Sequence, residues 1–573
     1  FEQLRSDVHD RIGTISNPIT DRNSGVDKDK AIHHSGKLQD AISGPESESE
    51  SESGRVTVEV VGSGSEMHAF YGSSVGSVGI PGTEDLFVGS PGTGRTGGPQ
   101  EGSAMLLLNK GGVKSFRGGA GGGDVDAFPS YERFGHVSGA CDFNGDGVLD
   151  LVVCSPSFGA GRDLEAARGN YSGRCDLFYG PFEADADSDP TTAVPDMSIY
   201  GDREWGHFGH TLTVGDVDGD GMDDLVVSAP YAGSYPDITT NDRGDLSSQG
   251  AVYVFLSASF ATLANPAKRV NASVAADVVI QEEASFQWLG KSLAIISKDD
   301  VVNSPVLLVG APSYHPVNEQ DANSGVGRVY AYTVTSGKVA TAWTVTGCAH
   351  ASRTGHAIAV GSTDGMSYMA ISEPTYNATK PLSTTTDTDT STDTSTGTEV
   401  SSLTSMRNGK ILRSGRVMVF STHALVDYIA SQTQTTPTCT VDFKMCEMAS
   451  VLGQEAVQEV VGHEFDGRLG SAITFQSTNL AGQNHLELII GEPQAGYGAG
   501  AVRSVSIPVP GSNQDKPKLK WVLSGRKLFG KNSKGRLGAA ISTHNDDIVI
   551  GAPFVSNEVG EEVGSVVKVS KKI

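Results

Sequence analysis

Two acidic runs in this chain place oxygen-bearing side chains at alternate positions. The first reads Asp142-Phe-Asn-Gly-Asp-Gly-Val-Leu-Asp150, and the second reads Asp216-Val-Asp-Gly-Asp-Gly-Met-Asp-Asp224. Such spacing suits calcium, a hard cation that takes about six to eight oxygen ligands. The first loop offers Asp142, Asn144, Asp146, the Val148 carbonyl and Asp150. The second offers Asp216, Asp218, Asp220, the Met222 carbonyl and Asp224. Gly147 and Gly221 follow the third ligand, where the chain must turn sharply and a residue without Cβ turns most easily. An EF-hand opens in the same way but needs a later bidentate Glu and an exiting helix. Here the exits are Leu151-Val-Val and Leu225-Val-Val, which are strand signals. The expectation is two calcium sites in turns between strands. Because the carboxylates are all used as ligands, none is assigned to acid–base catalysis.

The elements that hold these loops recur along the chain. Each loop follows a Phe-Gly pair, Phe134-Gly135 or Phe208-Gly209, and leads to Ser155-Pro156 or Ala229-Pro230. The small-Pro mark returns at Ser90-Pro91, Ala311-Pro312 and Ala552-Pro553, and as Glu-Pro at Glu373-Pro374 and Glu492-Pro493. The Gly-containing starts return at Tyr71-Gly72, Leu289-Gly290, Thr354-Gly355, Leu469-Gly470 and Leu537-Gly538. A further strand beginning with Gly follows each small-Pro mark, as in Gly250-Ala-Val-Tyr-Val and Gly327-Arg-Val-Tyr-Ala. The repeats fall near 70–108, 134–180, 208–256, 286–333, 353–420, 467–507 and 535–570. Outside the two acidic runs the loop is degenerate, as at 297–300 and 543–546. One more strand precedes each start, such as Lys520-Trp-Val-Leu-Ser-Gly525, so the unit holds four strands, the content of a propeller blade. The reading is an all-β, seven-bladed β-propeller over 54–573, preceded by a flexible, disordered linker over 1–53. Val56–Gly62 has no partner at the front of the chain and is expected to complete the last blade, closing the ring and leaving no blade edge unpaired.

Composition bounds the function. The 573 residues carry 43 basic and 68 acidic side chains, a net charge of −25. That balance argues against nucleic acid and against adsorption to anionic membranes. No apolar run approaches the roughly 20 residues that cross a bilayer as a helix. The first residue is Phe1 and no signal peptide is readable, so a processed chain or a fragment is expected. Residues 1–53 end in Ser-Glu repeats and read as a linker. The Ser/Thr/Asp-rich stretch 382–405, within an insertion running to about Val461, reads as disordered. The sequons at Asn170, Asn271 and Asn377 lean the chain towards a secreted, extracellular setting. Of six cysteines, Cys439 and Cys446 lie close enough in sequence to staple a loop, and Cys141 and Cys154 flank the first acidic run; sequence alone leaves the pairing open. Arg243-Gly-Asp245 reads as chance in an acidic, Gly-rich chain.

Phe-Gly starts, Asp-x-Asp-Gly-Asp-Gly loops and Gly-Ala-Pro strands together resemble the FG-GAP repeats of integrin alpha subunits. Within that superfamily, Glu282-Glu-Ala-Ser-Phe-Gln-Trp-Leu-Gly-Lys-Ser-Leu293, then Leu307–Ser313, then Gly327–Tyr332 resemble the C-terminal half of the glycosylphosphatidylinositol-specific phospholipases D in wording and order. The pair Cys439 and Cys446 is also similar to one in that family. The resemblance implies calcium in the propeller and zinc-assisted phosphodiester hydrolysis in an upstream catalytic domain. Ahead of the propeller this chain offers only His9-Asp10 and His33-His34, too few ligands for a catalytic zinc, so no catalytic residue and no zinc site is assigned. Implied partners are GPI-anchored proteins, met through an intact enzyme, and extracellular protein or glycan ligands. The competing expectation is an integrin-alpha-like adhesion or ligand-binding propeller without enzymatic activity.

Overall fold

In the computed structural model, residues 42–43 and, with interruptions, 55–572 are described; the longer interruptions are 95–100, 119–131, 160–170, 186–193, 234–247, 260–268, 317–324, 380–405, 434–440 and 509–517. The strands form a seven-bladed β-propeller, as the repeats predict. Blade one runs outward through Ser74–Val78, Asp85–Ser90, Ser103–Leu107 and Val113–Arg117. The inner strands of blades two to seven are Val137–Cys141, Leu212–Gly215, Ser292–Ile296, Ile358–Thr363, Ile473–Leu480 and Ala540–His544. Each touches the next around the ring, and the last touches the first.

The ring closes as the sequence predicts. Arg55–Ser63 pairs antiparallel with Ser565–Lys572 and becomes the outer strand of blade seven. Three blades gain a fifth strand. Ile42–Ser43 adds to blade six, Arg269–Asn271 to blade two and Val441–Lys444 to blade four.

The core is divided among the blades. Seven clusters of buried side chains each lie between two neighbouring blades. In blade two, Leu151 and Val153 pack towards blade one, while Val152 and Cys154 pack towards blade three. A strand covered on both faces has no polar face to show, which explains its unbroken apolar run.

Gly102, Gly173, Gly250, Gly327, Gly415 and Gly500 open third strands, and each forms a bridge to the residue that begins the following repeat: Phe134, Phe208, Leu289, Thr354, Leu469 and Leu537. Gly564 bridges to Tyr71 and joins the last blade to the first. Two marks that look like parts of one repeat are therefore the joint between successive repeats. The Gly of Gly-Ala-Pro serves the same joint: a Cβ on Gly310 would lie 2.1 Å from the Gly355 carbonyl oxygen.

The cysteines correct one expectation. Cys446 does not staple its own loop to Cys439; it is bonded to Cys348, 98 positions away. This bond ties the long insertion of blade five to the end of blade four's Lys338–Thr346 strand, beside Val441–Lys444. Cys154 is bonded to Cys175, its cross-strand neighbour, and Cys141 is a buried free thiol. Cys439, Arg243–Asp245, Asn170, the stretch 382–405 and the histidines of the first 41 residues lie outside the described residues.

Candidate metal sites in blades two and three

Both acidic runs lie in the turn from the inner to the second strand of their blade. Cys141 pairs with Asp150 in one hairpin and Gly215 with Asp224 in the other. The last predicted ligand of each run is thus the first residue of the second strand, closing the turn. Gly145, Gly147, Gly219 and Gly221 all have φ between +77° and +87°, so the turn uses two left-handed residues where the sequence pointed to one.

Backbone amides hold the carboxylates in place. Asp142 accepts from the N–H groups of Gly145, Asp146 and Gly147 at 2.7–3.0 Å, and Asp216 accepts from Gly219 and Gly221 at 2.6 and 2.9 Å. Asp146 and Asp220 each accept from the residue two ahead, Val148 or Met222, at 2.8 Å. Asp150 and Asp224 are buried, at 0% and 1% exposure. Asp150 accepts from Phe143 and Gly180 at 3.0 Å, and Asp224 from Val217 at 2.9 Å and Ser257 at 2.8 Å. Gly180 and Ser257 occupy the same place, just beyond the third strands Arg174–Phe178 and Ala251–Phe255. Sequence reading missed this support because it comes from peptide N–H groups, which leave no signature in residue type.

The two loops differ. In the second, carboxylate oxygens of Asp216, Asp218 and Asp224 lie within 4.8 Å of one another. Among the described residues this is the one such group of three His, Cys, Asp or Glu side chains. In the first, the amide Asn144 replaces Asp218, and its Nδ2 donates to Asp146 at 3.1 Å. Asp220 is not in the close trio; it holds the Met222 N–H instead. Burial pushes the Asp224 carboxyl up to about 6 against the pull of its two backbone donors. Burial likewise raises Asp150 and Asp218. Carboxylates withdrawn from water and crowded together favour a divalent cation among them. The donor set is oxygen throughout, which fits calcium rather than zinc.

The FG-GAP repeat profile matches residues 134–174 and 208–255, the spans that contain both loops and their strands. These are FG-GAP repeats. The chain is similar to phosphatidylinositol-glycan-specific phospholipase D of Mus musculus, 28% identical over 272 residues, covering 43% of this chain and 28% of that protein. The Homo sapiens counterpart is 29% identical over 272 residues, covering 44% and 28%. Integrin alpha-IIb of Homo sapiens is 33% identical over 137 residues, covering 24% of this chain and 11% of the integrin. The chain thus spans 28% of the length of the two phospholipases. Among the described residues no helix is long and apolar enough to cross a membrane.

Proposed function

We propose that this chain is the calcium-binding propeller portion of a secreted phospholipase D-like protein that hydrolyses glycosylphosphatidylinositol anchors. The observation that carries this reading is the similarity to the mouse and human phospholipases over 272 residues, twice the 137 matched in integrin alpha-IIb. In this reading, phosphodiester cleavage belongs to a zinc-dependent domain outside these residues. The propeller presents that domain to GPI-anchored proteins. Disulfide-bonded Cys154–Cys175 and Cys348–Cys446 suit an oxidising, extracellular compartment.

Calcium enters as a clamp. Asp142, Asn144, Asp146 and Asp150, with the Val148 carbonyl, would hold one ion. Asp216, Asp218, Asp220 and Asp224, with the Met222 carbonyl, would hold the other. When bound, the ions neutralise crowded carboxylates and fix two hairpins of the ring. Extracellular calcium modules bind at about 10⁻⁴–10⁻³ M, and calcium at five times Kd stabilises by about 1 kcal/mol per site. The melting temperature of the wild type is expected to fall when calcium is chelated. Asp216→Ala removes a carboxylate of the close trio, and should lose about half of that response. Equal melting of the wild type with chelator and with 2 mM calcium would remove calcium from this reading.

Anchor cleavage tests the rest. The N-terminal region of the human relative is fused ahead of this chain, and separately ahead of an unrelated propeller. The first fusion should release a GPI-anchored protein from membranes with zinc and calcium present. The second fusion, and this chain alone, should not. Release by this chain alone, or equal release by both fusions, would overturn the assignment. Inactivity of both fusions would favour the adhesion reading, for which the integrin similarity over 137 residues is the support.

A further inference from the structure

The acidic turns follow the inner strands at one end of the channel. At the opposite end, where the inner strands begin, the residue after each repeat's left-handed glycine occupies an equivalent place in every blade. In blades two to five that residue is His136, His210, Lys291 and His356. The other three blades carry Ser73, Ser471 and Ala539 there. Contacts across blade boundaries show that His136, His210 and Lys291 converge. The His136 and His210 rings lie 5.2 Å apart, and Lys291 Nζ donates to His210 Nε2 at 3.0 Å. His210 Nδ1 lies 3.2 Å from the Thr211 hydroxyl, which in turn donates to the Lys291 carbonyl at 3.1 Å. This arrangement leaves the His210 ring neutral.

Three residues earlier stands a second equivalent position, with φ between +53° and +59° in all seven blades. Four blades place arginine there: Arg133, Arg353, Arg468 and Arg536. The rest carry Phe70, His207 and Trp288. Backbone bonds tie the two positions together, as from the His356 N–H to the Arg353 carbonyl at 3.2 Å and from Ser471 to Arg468 at 3.2 Å. Arg353 lies over the Trp288 ring, and Asp466 pairs with Arg468 and Arg413. Lys291 and Arg353 form no ion pair among the described residues.

The electrostatics agree. Burial, then Arg353, pushes Lys291 down to about 8. Burial, then Lys291, Arg133 and His207, pushes His136 down to about 3; burial, then Lys291, Arg353 and Arg468, does the same to His356. His210 is lowered by burial and then by Lys291, His136, His207 and His356. Arg353 is lowered by burial, then by Arg468 and Arg413. The charged groups that act most strongly on Lys291, the histidines and Arg353 are cationic, and Asp466 is the acidic partner of Arg468 and Arg413. Beside the cluster stand the half-buried rings of Tyr231, 5.7 Å from His210, and Trp288, 5.7 Å from Tyr231.

We infer that this end of the channel binds a polyanion, namely a sugar or inositol ring carrying phosphate or sulfate groups. Arg353 and Arg468 supply fixed charge for the oxyanions, and Lys291 adds a charge that a bound anion favours. His136, His210 and His356 line the site as neutral rings. Tyr231 and Trp288 offer the ligand's ring aromatic faces. Clustered cations focus the field on such a ligand, and arginine forks match phosphate and sulfate oxygens. The site depends on neither calcium nor the phospholipase reading.

The test is calorimetric titration of the whole chain with inositol trisphosphate in one arm and a heparin hexasaccharide in the other. At least one arm should show binding that weakens with salt, and the stronger arm names the anion. The double variant Arg353→Gln, Arg468→Gln should weaken binding tenfold or more while melting at the wild-type temperature. Lys114→Gln, a lysine on the outer strand of blade one, should bind like wild type. The anion favours the charged form of Lys291, which sits at about 8, so affinity should rise as pH falls from 9 to 7, with proton uptake measured in buffers of different ionisation enthalpy. No binding in either arm, equal binding by the double variant, or proton release would each overturn the proposal.

Discussion

Gly327→Ala is expected to prevent the chain from reaching its native ring. The glycine opens the third strand of blade four and bridges to Thr354 of blade five. Its φ is +79°, and an added Cβ would lie 2.3 Å from the Thr354 carbonyl oxygen and 2.4 Å from its nitrogen. Both obstructing atoms belong to backbone, so no rotamer change relieves the clash. The left-handed conformation costs about 1–2 kcal/mol for a residue with Cβ, and overpacking adds about 1–3 kcal/mol. Together these approach the whole stability of a weakly stable domain, about 5 kcal/mol. Gly365→Ala is the control. Its φ of +72° is similar, but nothing lies within 4 Å of the added Cβ. Denaturant unfolding should show the control losing only about 1–2 kcal/mol, with Gly327→Ala recovered as aggregate or unfolded chain. Equal midpoints for the two variants would show that the joint between blades carries no special constraint.

The second large effect is expected at Arg174. Its guanidinium is 2% exposed, and so are its partners Glu132 and Asp176. Arg174 Nη2 lies 2.8 Å from Asp176 and 3.3 Å from Glu132, and the guanidinium lies 4.4 Å from the Phe158 ring centroid. The Ser198 hydroxyl donates to Asp176 at 2.6 Å. Arg174→Met keeps much of the volume but leaves two buried carboxylates without the cation between them. Removing one partner of a buried ion pair costs about 3–5 kcal/mol. The triple variant Glu132→Gln, Arg174→Met, Asp176→Asn removes the charges together and should recover most of that loss. A single variant as stable as wild type would show that the network is dispensable.

Much of the ring was legible because its marks are residue types with one physical use. The repeat marks predicted the seven blades, and the unpartnered Val56–Gly62 pattern predicted the strand that closes the ring. Other features depend on register between strands far apart in sequence. Nothing near Cys446 points to Cys348, since their neighbourhood arises only when an insertion of blade five lays Val441–Lys444 along blade four. Where two repeats carry Glu-Pro in place of a small residue and Pro, an arginine compensates: Arg416 of blade five and Arg503 of blade six pair with Glu373 and Glu492. The basic rings at the channel end escaped notice because the equivalent positions change residue type from blade to blade. Their common feature is backbone conformation and place, which only the assembled ring reveals. In the acidic loops the clustered carboxylates were readable, while the amides of Gly180 and Ser257 that steady Asp150 and Asp224 were not.

The strand that closes the ring also sets an order of events during synthesis. Thr57 and Ser570 meet through a hydrogen bond across 513 positions of sequence. At about 5–20 residues per second on the ribosome, the earlier strand waits roughly half a minute to two minutes before its partner exists. Throughout that interval Arg55–Ser63 presents unsatisfied amides and carbonyls, with Val58 still to be buried. Every nascent copy on a polysome carries the same bare segment while lacking the strand that matches it. A completed neighbour whose own last strand is still unpaired can capture it, making exchange of this strand between copies the characteristic misfolding hazard of the chain.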